Sequence, residues 1–118
     1  MKAASSFVVS RGAIRLRIKV MPSIRAVGAA YYRAKGSGCT VDARGVLVYA
    51  FFESAAPRSR YTGTIFLCEN TRLFEVVPHE VVHACLHHFK NVSTEDDEKF
   101  AMAVGCLTAN ILTKLDGE

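Results

Sequence analysis

The four cysteines, Cys39, Cys68, Cys85 and Cys106, include no Cys-x-x-Cys pair. That argues against a zinc ribbon, and spacing this wide is not the framework of a small disulfide scaffold, so free thiols are expected. No apolar run approaches the roughly 20 residues of a membrane span, so no membrane partner is expected. The first residues offer one early lysine and only Phe7-Val8-Val9 before Arg11 interrupts the run. This is not the pattern of a secretory signal, and the expected location is the cytoplasm. Internal repeats and low-complexity segments are also absent.

What is present is a chain of 118 residues, 50% apolar and 22% charged. This is ordinary globular composition, and the length suits a single domain, 1–118, with one sizeable core. The net charge of +4 is only a weak sign of an acidic or nucleic-acid partner. From Ala13 to Val20 the sequence alternates, with Ile14, Leu16, Ile18 and Val20 on one face and Arg15, Arg17 and Lys19 on the other, which predicts a half-buried strand. A nucleic-acid platform would interleave aromatics with these charges, and the strand carries none, so nucleic acid is not an expected partner.

Before that strand, residues 1–12 read as a frayed start or a short edge strand. After it, Met21-Pro22-Ser23 opens a helix that closes at Lys35-Gly36. Gly36 to Gly38 reads as a loop and Asp42 to Gly45 as a turn. Val46 to Glu53 is apolar on both faces, which suggests an interior strand. Thr62 to Glu69 predicts a second strand, placed at the sheet margin beside the cleft. A long apolar helix is expected from Glu98 to Leu115, with Ser93 or Thr94 as its cap.

The most informative stretch is Pro78-His79-Glu80-Val81-Val82-His83. At 100° per residue, His79 and His83 lie about 40° apart on a helical wheel, with Glu80 about 60° beyond His83. Two imidazoles so placed can hold one Zn²⁺, with the carboxylate facing the water that completes the tetrahedron as a general base. Phe74, Val77, Val81, Ala84 and Cys85 supply an apolar opposite side, so the polar stripe belongs to a core-packed helix. Between Pro78 and His88 the only formally charged side chain is Glu80, unlike a solvated helix face. The helix is expected to begin near Thr71 and to kink at Pro78, where a backbone hydrogen bond is lost.

The segment from about Thr62 to Leu112 resembles the minigluzincins, small zinc peptidases of phages and mobile elements, and more distantly the ImmA/IrrE proteases. The resemblance rests on the strand Thr64 to Glu69, on His79-Glu80-Val-Val-His83, and on the acid-rich helix start reading Asp97-Glu98-Lys-Phe-Ala-Met-Ala-Val-Gly105. It implies an α+β, zincin-like fold: an N-terminal strand and helix, then a small mixed sheet with an edge strand by the cleft. The His-Glu-x-x-His helix and a C-terminal helix bearing a glutamate ligand complete it. It also implies a peptide substrate added to the sheet edge by main-chain pairing.

The likeness to phage sequences with Asp-Glu seven residues before a glycine assigns Glu98 as third zinc ligand. On the wheel Glu98 lines up with Ala101, Gly105 and Ala109, a small-residue stripe along which a neighbouring helix could approach closely. An oxyanion stabiliser is also needed, and Tyr61, Tyr49, Arg60 and His87 are candidates. The expected function is a zinc-dependent peptidase acting on a protein or peptide. The alternative is a non-proteolytic zinc-binding regulatory or interaction domain, for which Glu80 has no evident use.

Overall fold

The computed structural model describes residues 5–35, 48–90 and 97–116. Along the chain run β1 (Ser5–Arg11), β2 (Ile14–Met21), α1 (Ile24–Lys35), β3 (Phe51–Ser54), β4 (Gly63–Cys68), α2 (Leu73–Phe89) and α3 (Asp97–Asp116). The strands form one mixed sheet in the order β1-β2-β4-β3. An α+β chain with a small mixed sheet is the coarse part of what the resemblance implies.

Local chemistry accounts for the boundaries. β1 and β2 pair antiparallel from Ser5↔Val20 to Arg11↔Ile14. The two-residue turn between them uses Gly12 at φ +58°, a conformation glycine adopts without steric cost. In β2 the predicted alternation holds, with Ile14, Leu16, Ile18 and Val20 buried. α1 is capped by Ser23, whose Oγ accepts the Ala26 N–H at 3.1 Å; Pro22 thus precedes the cap rather than opening the first turn. α2 runs unbroken through Pro78 and starts at Leu73, two residues later than expected.

The two faces of the sheet are covered separately. Leu16, Ile18, Val20, Ile65 and Leu67 pack against Val77, Val81, Ala84 and Cys85 of α2 and Ala103, Leu107 and Ile111 of α3. On the opposite face, Val27 and Ala30 of α1 meet Phe51, Phe66 and Cys68. Phe51 stacks on Phe66 at a centroid distance of 4.4 Å, with Tyr31 edge-on to Phe51 at 5.2 Å. Each fully buried Leu or Ile contributes about 1.5–3 kcal/mol of apolar transfer free energy, so this double-sided core holds β4 and α2 in place.

Two strand assignments are corrected. β4, expected at the margin, is interior: it pairs parallel with β2 from Leu16↔Gly63 to Met21↔Cys68 and antiparallel with β3 from Phe51↔Phe66 to Ser54↔Gly63. β3, expected inside, is the edge of the sheet among the described residues. Phe51 is buried on the α1 side while Phe52 packs toward α2. Apolar residues on both faces therefore report two covering layers and say nothing about the strand's lateral neighbours. Peptide addition onto β4 is ruled out by this pairing, and the strand beside the cleft is β3. The loop at 36–38, the turn at 42–45, Val46 with Leu47, and the cap at Ser93 or Thr94 lie outside the described residues.

Gly63 is required for this edge. A Cβ there would run into the Glu53 carbonyl oxygen and the Phe52 ring, which lies across the glycine. Gly63→Ala should therefore push β3 off β4 and lower stability by about 1–3 kcal/mol, measurable as a drop in the urea midpoint. An unchanged midpoint would mean that β3 does not sit this tightly.

Candidate metal centre

α2 carries the site because its sides face different surroundings. Val77, Val81, Ala84 and Cys85 are buried in the core, as the wheel predicts, whereas Phe74, assigned to the same side, is 67% exposed. Burial pushes the Cys85 thiol up to about 11, so it stays a protonated, inert thiol at neutral pH. Cys68 is likewise buried and free, and Cys106 is half-buried and free.

On the side of α2 turned toward β3, one helical turn brings His79 and His83 together. Their Nε2 atoms are 3.2 Å apart and their rings 4.8 Å apart between centroids. Two nitrogens bound to a tetrahedral zinc at about 2.0–2.1 Å each should be about 3.3–3.4 Å apart. The pair meets that requirement with its nitrogens converging, and both imidazoles are exposed, so an ion could reach them.

Glu80 is the one charged residue among the buried positions of α2. Its Oε2 lies 4.0 Å from His79 Nε2. Burial raises its carboxyl above the ordinary glutamate range, against a smaller opposing pull from His79. A buried carboxylate beside two imidazoles is stabilised in its charged form by a cation.

A cavity of about 490 Å³ joins these groups to the sheet edge; its walls include Tyr31, Phe51, Phe52 and Ser54 opposite His79, Glu80, His83 and His87. Of the four oxyanion candidates, only His87 lines it. Burial first, then the charges of Lys90 and His88, hold His87 below the ordinary histidine range. Tyr49 is 46% exposed and absent from the wall.

Tyr61 is occupied elsewhere: the Arg15 and Arg17 guanidiniums lie 5.0 and 4.6 Å from its ring centroid. An Arg17 hydrogen bond and the charge of both arginines lower its hydroxyl pKa. The basic face of β2 thus does have an aromatic partner, brought in from the loop before β4. Arg60 lines a neighbouring cavity. Tyr31 is on the wall of the site, and no local signal in the sequence says what it faces.

Glu98 is not brought to the imidazoles. It is exposed, as are Ala101, Gly105 and Ala109 in the same stripe, and a Cβ on Gly105 would meet nothing within 4 Å. α3 packs instead through Ala103, Leu107 and Ile111, on the far side of the wheel from Glu98. Among the described residues, no group of three or more His, Cys, Asp or Glu side chains is gathered for a metal.

Comparison with protein-family models, with curated proteins and with solved structures finds no match. Among the described residues, no helix is long and apolar enough to cross a membrane.

Proposed function

We propose that the protein is a zinc-dependent peptidase whose centre is the His79, Glu80, His83 face of α2. The observation that carries this reading is the 3.2 Å convergence of the two Nε2 atoms with a buried carboxylate alongside. A zinc ion held by His79 and His83 would lower the pKa of a bound water toward about 7 and polarise a carbonyl. Glu80 takes a proton on the cleft side and returns it to the departing amine, and burial raises its carboxyl in the direction that role favours. Tyr31 and His87, on the same wall, would be the donors to a carbonyl oxygen that gains charge.

The substrate is an extended polypeptide. Among the described residues β3 is an edge strand, and it borders the cavity; main-chain pairing along its outer side would lay a peptide past His79 and His83. The acid-rich start of α3 supplies the third zinc ligand in this proposal, with Glu98 assigned. Glu98 is exposed, and its assignment follows the resemblance of the α3 start to the small zinc peptidases. Glu98→Ala should then weaken zinc affinity at least about tenfold while Glu95→Ala does not, as measured by titration against a competing chelator. Equal affinities in the two variants would exclude Glu98.

The proposal as a whole is tested by metal analysis of the purified protein together with a peptide cleavage screen. One equivalent of zinc and chelator-sensitive cleavage are expected. Absence of both would overturn it.

A further inference from the structure

A second cavity, of about 590 Å³, adjoins the first and shares Ser54 and His87 with it. Together they line a surface from the imidazole pair past the last turn of α2 to the β3–β4 loop. The far part is cationic. Arg60 enters from the loop, His88 and Lys90 from the end of α2, and among the described residues no Asp or Glu lines it. Positive charge at a helix C-terminus is favourable to the helix itself, which accounts for Lys90. It does not account for Arg60, which comes from a different element to the same cavity.

We infer that this cationic cavity is a subsite for a carboxylate side chain of the substrate, an Asp or Glu about two residues from the bond that is cut. The inference rests on the peptidase reading of the neighbouring centre. The spacing follows from the scaffold: His83 and His88 are five residues apart on α2, about 7.5 Å at 1.5 Å per residue, and an extended peptide rises about 3.3 Å per residue. A carboxylate there would meet a guanidinium able to hold it with two parallel hydrogen bonds, and an ammonium beside it. Lysine or arginine at the same place would meet like charge. The chemistry therefore both attracts acids and rejects bases.

The test uses the zinc-loaded protein and a synthetic random decapeptide library, with cleavage sites read by mass spectrometry. Asp and Glu should be enriched over Asn and Gln by roughly tenfold at one position about two residues from the cut, the worth of one charge-assisted hydrogen bond. In Arg60→Glu/Lys90→Glu the preference should invert toward Lys and Arg. Cleavage with no acid enrichment, or enrichment that survives the double reversal, overturns the subsite while leaving the peptidase standing.

A binding measurement keeps the two readings separable. The same decapeptides, arrayed and probed with zinc-loaded Glu80→Gln protein, should retain the protein selectively where they carry acids, and adding the double reversal should abolish that selectivity. Acid-selective retention without any wild-type turnover would sink the peptidase and keep the subsite. Retention without acid selectivity, or no retention at all, overturns the subsite. Circular dichroism melts confirm that each variant is folded.

Discussion

Glu80→Gln is expected to lower kcat/KM about 10²–10⁴-fold with zinc content unchanged. The range is that of losing one general acid–base group. Zinc stays because Glu80 Oε2 stands 4.0 Å from His79 Nε2 and the two imidazoles alone converge at 3.2 Å. The same substitution has an opposite effect on the zinc-free protein. Burial raises the Glu80 carboxyl in the folded state, so its favourable contribution is complete below the ordinary glutamate range and is lost as pH rises through the raised value.

At neutral pH the zinc-free protein therefore holds either a proton or an unsolvated charge that the unfolded chain does not. Gln carries no such penalty. Zinc-free Glu80→Gln should melt higher than zinc-free wild type at pH 7 by about 1–3 kcal/mol of stability, and the gap should close as pH falls below the glutamate range. A variant that is active, or whose melting difference ignores pH, would mean that Glu80 is a structural acid.

The second large effect is on metal. His79→Ala and His83→Ala should each weaken zinc affinity by more than about 100-fold, beyond the range seen for groups that only orient ligands, and should leave no measurable turnover. The stability readout is separable from a packing role because both imidazoles are on the exposed side of α2. Without zinc, either change should alter stability by no more than about 0.5 kcal/mol. With zinc at 100 times its dissociation constant, wild type gains about 2.7 kcal/mol, which for a domain of this size is about 10 °C in Tm. The variants should show almost none of that rise. A wild type whose Tm ignores zinc, or a histidine variant that still responds fully, would contradict the assignment.

How much of this could be read from the residues depends on what kind of fact each was. Periodicity reports which face of an element is covered, so the alternation of β2 and the core stripe Val77, Val81, Ala84, Cys85 were legible. It does not report lateral neighbours in a sheet. Val46–Glu53 and Thr62–Glu69 both read as apolar, and which of them was the edge depended on long-range pairing with β2 that no local pattern encodes.

The packing side of α3 was hard to read for a related reason: the small-residue stripe Ala101, Gly105 and Ala109 is exposed, and the helix packs through Ala103, Leu107 and Ile111, since apolar area removed from water is worth roughly 25 cal/mol per Å². Tyr61 illustrates the same limit. It meets Arg15 and Arg17 because the parallel register sets Arg17 against Thr64 and Leu16 against Gly63, and register is a property of two strands together.

The most direct test of the central claim is a crystal structure of the zinc-loaded protein, with anomalous diffraction collected on either side of the zinc absorption edge. The account predicts one strong anomalous peak within about 2.0–2.1 Å of Nε2 of both His79 and His83, on the cavity side of α2 and facing β3. A peak elsewhere on the chain, or none at saturating zinc with the two imidazoles still 3.2 Å apart, would contradict it.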